Sequence, residues 1–212
     1  MVGGAGIDAD AVTPVSLPDG ATLKVALVAR MLWSKGIDLA VAAVRMARQQ
    51  GADVSLSLYG TPDAANPGAL SESQLQAWAR EPGIAWHGRT RDVAGVWAQH
   101  HLCCLPSRGG EGLPRALLEA AASARAILTT DVPGCRDLVR DGIEGRVVAP
   151  NDAAALAAVL AALAGDRDAV RRMGLAARAR LQDGFTDKDV NAAVVALYND
   201  LAPAKPRPGG TN

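Results

Sequence analysis

Two glutamates stand eight residues apart in the stretch "SRGGEGLPRALLEA" over 107–120, Glu111 among glycines and Glu119 inside a helical pattern. Gly109, Gly110 and Gly112 let the backbone approach a ligand closely. Pro114 suits the first turn of a helix, whose leading N–H groups point outward. That pairing makes an anion-facing helix start with a carboxylate at its rim. Glu119 lies about one and a half helical turns further on, amid "ALLEAAASA", where a carboxylate on the buried side needs hydrogen-bond donors such as sugar hydroxyls. The other readings are plainer: an exposed helix-face glutamate for Glu119 and a loop carboxylate in water for Glu111.

Two further loops carry compatible chemistry. In "ARMLWSKG", Arg30 and Lys35 flank a helix expected to begin near Gly36, and two cations at a helix N-terminus form a site for a phosphate or diphosphate. Their alternative is a pair of solvated surface charges. In "GRTRDV", Arg89, Thr90 and Arg91 stand at another helix entrance, with Asp92 as its cap. Trp33, between Arg30 and Lys35, either stacks on a ligand, meets another domain or packs in the core or rim.

Other arrangements are set aside. "GAGIDA" lacks a third glycine and precedes the first strand, so it is not a dinucleotide fingerprint, and no P-loop or G-x-S-x-G motif occurs. Asp8 and Asp10 form a D-x-D pair in a leader segment and read as a turn. His100, His101, Cys103 and Cys104 suggest a metal cluster, but adjacent cysteines on a strand face opposite sides and cannot share one ion.

The elements that must position these loops follow from periodicity. Apolar runs at 22–29, 54–60, 83–88, 101–106, 126–131 and 146–150 read as strands, separated by helical patterns at 36–51, 72–81, 93–99 and 114–124. Ser71 caps the second helix, and Asn151 with Asp152 caps the alanine-rich helix that follows the last strand and runs to about residue 164. Helices over 167–182 and 187–201 end the ordered chain. Strands alternating with helices require crossovers, so the expected fold is an α/β, Rossmann-like three-layer α/β/α domain with a mostly parallel sheet. Ligands on such sheets sit at the carboxyl ends of the strands, where all three loops fall.

Composition excludes several classes. The 212 residues carry 22 Lys+Arg against 22 Asp+Glu and no basic block, so no nucleic-acid partner is implied. No apolar run is long enough for a bilayer, no signal sequence is read at the start, and a cytoplasmic location is expected. Three cysteines, an odd number in apolar surroundings, fit buried thiols rather than disulfides.

"VARMLWSKGID" followed by "LPSRGGEGLPRALLEAAASARAILTTDVPGCRDLVRDGIEGRVVAP" resembles the nucleotide-sugar-binding half of a family 4 (group 1) glycosyltransferase of GT-B fold. The likeness runs from about residue 4 to 201 and rests on the Arg-x4-Lys pair, the Glu-x7-Glu spacing, "DVPG" and "DGIEGRVV". It implies a metal-independent transfer of sugar with retention at the anomeric centre, usually from a UDP- or GDP-sugar. Arg30 and Lys35 match the cations that hold the diphosphate and stabilise the leaving nucleotide. Glu119 matches the glutamate that accepts hydrogen bonds from the ribose. Glu111 matches the one against the donor sugar, with Gly110 beside it and the N–H groups of Gly112, Leu113 and Arg115, around Pro114, facing sugar and diphosphate. Arg89 and Thr90 are added to the donor site from their own loop at a helix entrance, not from the resemblance. Ala29 stands where the family often has glycine.

Whole enzymes of this family have two domains of similar size, with the acceptor site in the amino-terminal one. The resemblance therefore divides the chain into an interdomain segment (1–20), the nucleotide-sugar-binding domain (21–185), a helix that packs on an absent amino-terminal domain (186–201) and a disordered tail (202–212). It implies a partner domain in cis or as a separate chain, a lipid-linked or saccharide acceptor of bacterial polysaccharide synthesis, lipopolysaccharide included, a peripheral place at the inner membrane face, and weak homodimerisation through apolar surface left uncovered. Two alternatives are a non-catalytic nucleotide-sugar-binding subunit or remnant and a GT-B nucleotide-sugar epimerase.

Overall fold

Six short strands, each too apolar to face water on both sides, stack into one parallel sheet covered by helices on both faces. The computed structural model describes residues 6–110 and 112–201. The expectations for Glu111 and for the 202–212 tail lie outside the described residues. The chain runs β1 (Leu23–Val28), a single 3-10 turn (Trp33–Lys35), α1 (Ile37–Gln49), β2 (Val54–Tyr59), α2 (Glu72–Ala79), β3 (Ile84–Trp86), α3 (Val93–Gln99) and β4 (Leu102–Leu105). It continues through α4 (Arg115–Ala122), β5 (Ala126–Thr130), α5 (Cys135–Leu138), β6 (Gly145–Val148), α6 (Ala153–Gly165), α7 (Arg167–Gln182) and α8 (Asp187–Leu201). The strand order is β3-β2-β1-β4-β5-β6 and every pairing is parallel. The order reverses between β1 and β4, where Val25 lies beside Leu102 and Ala26 beside Cys103. A crevice must open outside the carboxyl ends of those two strands, because the connections leaving them run to opposite faces.

One apolar cluster joins β1 and β2 to α1, α2 and α6, and a second joins β4 and β5 to α3, α4, α5 and α7. The adjacent cysteines divide between them: Cys104 belongs to the first cluster, Cys103 and Cys135 to the second. All three are free, buried thiols, and burial pushes Cys104 up to about 12 and Cys103 well above the ordinary thiol value. Among the described residues no group of three or more His, Cys, Asp or Glu is placed to hold a metal ion.

Residues 6–20 are tied down by buried polar side chains. Arg125, 1% exposed, donates through Nε to the Trp97 carbonyl at 2.6 Å and through Nη2 to the carbonyls of Val15 at 3.1 Å and Ser16 at 3.2 Å. Arg178 reaches the carbonyl of Val12 at 3.0 Å. At the far end, Lys188 pairs with Asp10 at 2.7 Å, and Asp8 Oδ1 accepts the N–H groups of Asp10 and Ala11, the turn expected for that acidic pair. Along α8, Val195, Leu197 and Tyr198 stay exposed. No helix among the described residues is long and apolar enough to cross a membrane.

His101 has one defined tautomer. Its Nδ1 accepts the Lys24 N–H at 3.0 Å, so the proton sits on Nε2, which donates to the Pro18 carbonyl at 2.8 Å. Burial first, then the nearby positive charge of Arg167, lowers it to about 4 from the usual 6.5. The unfolded chain therefore takes up this proton more readily. The contribution to stability is complete above about pH 6.5 and drains away as pH falls to about 4. Burial lowers His100 in the same direction. Thermal unfolding from pH 7.5 to 4.5 is expected to show a shallower loss in His101→Gln, whose amide can keep both hydrogen bonds without titrating; equal slopes would rule out this role.

Candidate donor-binding site

The crevice at the strand reversal is bordered by two helix starts whose cap residues supply no side-chain acceptor. Elsewhere, Ser71, Asp92, Asp152 and Asp166 each accept an N–H of the first turn of α2, α3, α6 and α7. At α1 the cap is Gly36, and at α4 it is Pro114; neither supplies an acceptor. Pro114 stands one residue before the helix, with extended backbone at φ −67° and ψ 126°, rather than in its first turn, so α4 begins at Arg115. Among the described residues, both helix starts leave first-turn N–H groups unpaired and set a positive dipole end beside the reversal, which favours an anion there.

Arg30, Lys35, Pro114, Arg115, Ala116 and Glu119 line one cavity of about 240 Å³ with the ends of β1 and β4. Arg30 also lines a neighbouring space of about 340 Å³ with Tyr59, Arg89 and Thr90. Glu119 and Arg115 open in turn on a third of about 520 Å³, bounded by Ile7, Val12, Arg91 and Trp97. The three share lining residues and form one groove that runs from the carboxyl ends of β1 and β4 to the space between α3 and α4. The sequence-derived residues Arg30, Lys35 and Glu119 are thus brought to one cavity, and Arg89 and Thr90 to the next. Thr90 Oγ1 accepts the Asp92 N–H at 3.1 Å, and Asp92 caps α3 through Gly95 at 2.8 Å.

Charge in the groove is held loosely. Arg30, with its side chain 63% exposed, pairs with Asp63 at 2.9 Å. Arg115 Nε pairs with Glu119 at 2.8 Å and is itself 77% exposed. The Arg30–Asp63 pair, open to water, is worth about 0–1 kcal/mol, so an incoming phosphate can displace it at small cost. The Glu119 side chain is 16% exposed, which removes the reading of a freely solvated helix-face glutamate. Gly110 and Gly112 are exposed, with nothing within 4 Å of where a side chain would begin, and Leu113 packs on the second apolar cluster.

Three site-building residues escape sequence reasoning. Arg108 donates to both carboxylate oxygens of Asp38 at 2.8 Å, to the Trp33 carbonyl at 2.5 Å and, through Nε, to Asn151 Oδ1 at 2.7 Å. Its own N–H reaches the Ser34 carbonyl at 2.8 Å. Asn151 does not cap α6: it sits in the left-handed region at φ 64°, and Asp152 is the cap. Trp33 is 45% exposed and meets Trp78 edge-on at 6.5 Å, outside the groove. Glu144, fully buried, accepts the Arg140 N–H at 2.8 Å and the Arg140 guanidinium, so the "DGIEG" carboxylate is consumed by structure.

Comparison with known proteins agrees with this architecture. A family described as "Glycosyl transferases group 1" matches residues 22–166. The chain is 28% identical over 187 residues to the amylovoran biosynthesis glycosyltransferase AmsK of Erwinia amylovora, covering 85% of this chain and 45% of AmsK. It is 30% identical over 190 residues to the putative colanic acid biosynthesis glycosyltransferase WcaL of Salmonella typhimurium, covering 86% of this chain and 46% of WcaL. The crystal structure of Anabaena HepE in complex with UDP and glucose superposes with a TM-score of 0.74 at 19% identity, over 85% of this chain and 49% of HepE. The chain thus spans about half the length of these relatives.

Proposed function

Because the chain belongs to the group 1 glycosyl transferases, we propose that it is the donor-binding half of a retaining, family 4 enzyme that moves a sugar from a nucleotide sugar, UDP-linked first, to a lipid-linked or saccharide acceptor in bacterial polysaccharide synthesis. The observation that carries this reading is the convergence of Arg30, Lys35 and Glu119 on one cavity beside the uncapped start of α4. Arg30 and Lys35 hold the diphosphate. They also offset the charge that grows on the departing nucleotide, so the transfer needs no metal ion. Glu119 accepts the ribose hydroxyls, Glu111 faces the sugar, and the N–H groups of Gly112, Leu113 and Arg115 lie along the diphosphate. Arg89 and Thr90 flank the nucleoside end. The roles named for AmsK in amylovoran biosynthesis and for WcaL in colanic acid biosynthesis, and the UDP and glucose held by HepE, support the substrate class.

Residues 1–20 and α8 then meet an amino-terminal domain that brings the acceptor, at the cytoplasmic face of the membrane. The exposed Val195, Leu197 and Tyr198 favour such a cover over free solvent, or a weak homodimer in its absence. A second reading is a nucleotide-sugar-binding subunit without turnover. Mixing the purified chain with a matching amino-terminal domain, a UDP-sugar and lipid-linked acceptor separates the two. Transfer is expected only in the mixture; steady transfer by the chain alone would contradict the half-enzyme assignment, and none in any mixture would favour the binding subunit.

A further inference from the structure

Three loops that leave different strands meet at one guanidinium. Arg108 belongs to the loop after β4, Asp38 to the first turn of α1 after β1, and Asn151 follows β6. The Arg108–Asp38 pair is two-pronged, each guanidinium Nη 2.8 Å from its own carboxylate oxygen, a geometry that fixes orientation as well as distance. The side chains are only 28% and 24% exposed, so water competes for this pair less than for the Arg30–Asp63 pair of the groove. The remaining donors go to the Trp33 carbonyl and Asn151, and the Arg108 N–H and Ser107 hydroxyl both go to the Ser34 carbonyl, at 2.8 and 3.3 Å. Thr130 Oγ1 anchors the same loop from β5, donating to the Ser107 carbonyl at 2.5 Å. None of these groups lines the donor groove.

We propose that Arg108 is a positioning residue: with Asp38 and Asn151 it clamps the glycine-rich loop to the Trp33–Lys35 turn, so that the Lys35 ammonium and the N–H groups preceding α4 are presented together to one diphosphate. Beyond the Ser107 anchors, the clamp is the side-chain tether nearest the glycines. Gly109 and Gly110 take left-handed backbone at φ 117° and 72° with open space around them, and glycines restrict the backbone least. An unclamped loop would have to be ordered by the ligand, and that ordering would subtract from affinity.

This inference rests on the nucleotide-sugar reading and extends it to selectivity among nucleotides. The clamp sets the diphosphate end of the groove and leaves the Glu119 end untouched, so its loss must weaken diphosphate binding more than monophosphate binding. Calorimetric titration of the chain and of Arg108→Ala, Asp38→Asn and Arg108→Lys with UDP and UMP tests it. Arg45→Ala, which breaks the remote two-pronged Arg45–Glu81 pair, is the control. The expected result is a fall of about tenfold in the UDP-to-UMP affinity ratio for Arg108→Ala and Asp38→Asn, with UMP affinity kept, partial recovery in Arg108→Lys, and no change in Arg45→Ala. Asp38→Asn nearly preserves shape and keeps the test valid where Arg108→Ala does not fold. An unchanged ratio, or UDP and UMP affinities falling together with thermal stability, would overturn the positioning role. Failure of the unaltered chain to bind either nucleotide would instead overturn the donor-site reading beneath it.

Discussion

Gly36→Ala is expected to destabilise the chain by about 3 kcal/mol or more and to abolish nucleotide binding in what remains folded. Gly36 holds φ 68° and ψ 29°, left-handed backbone that costs an alanine about 1–2 kcal/mol. A Cβ at this position would lie 2.0 Å from the Pro106 carbonyl oxygen and 2.8 Å from its carbon. Those are backbone atoms, so rotamer changes cannot relieve the clash. The turn carrying Lys35 and the loop that follows β4 must separate, which moves Lys35 in the cavity that it lines. Gly51→Ala provides the reference: φ is 89° and nothing lies within 4 Å, so it bears the backbone penalty alone. Denaturant titration of both variants checks the argument. Equal losses would mean that the two loops do not press together as described.

Much of this fold is legible in the chain because local rules agree with it. All six expected strands appear within a few residues of their expected limits, and Ser71, Asp92 and Asp152 cap the helices that follow them. What periodicity misses is short or long-range. The 3-10 turn over Trp33–Lys35 and the four-residue α5 contain too few residues to show a period. The strand order is invisible for another reason: parallel pairs such as Val25 with Leu102 join residues far apart, and nothing in either strand's own pattern names its neighbour. Asn151 and Asp152 could each cap α6 by residue type. The choice follows from backbone, since Asn tolerates the left-handed region and Asp152 then takes the cap.

The site divides in the same way. Arg30 and Lys35 can be picked from the sequence because they follow β1 closely, and Glu119 because it lies one helical turn into the helix that the loop after β4 enters; the reversal of strand order gathers both. The Arg108 clamp cannot be picked, because its partners Asp38 and Asn151 lie 70 and 43 residues away and charges of those types on loops are common. Nor do all the residues that carry the family resemblance carry chemistry. Glu144 is spent on Arg140, and Asp141 accepts the Arg146 guanidinium at 2.8 Å and the Val147 N–H at 2.9 Å, shaping the turn into β6.

Glu119 bears the heaviest demand in this account. Among the described residues its carboxylate is held by the exposed Arg115 alone, through one oxygen, so acceptor capacity remains for ligand hydroxyls inside a groove that limits access of water. Removing an acceptor from a buried polar contact costs about 1–3 kcal/mol, roughly a tenfold to hundredfold loss of affinity. The apolar face of α4, with Leu117, Leu118, Ala120, Ala121 and Ala122 buried, does not depend on this side chain, so Glu119→Ala should remain folded. The most direct measurement is calorimetric titration of the chain and of Glu119→Ala with UDP. The expected result is saturable one-to-one binding that weakens at least tenfold in the variant at unchanged thermal stability. Equal binding by both chains, or none by the unaltered one, would contradict a donor site at this groove.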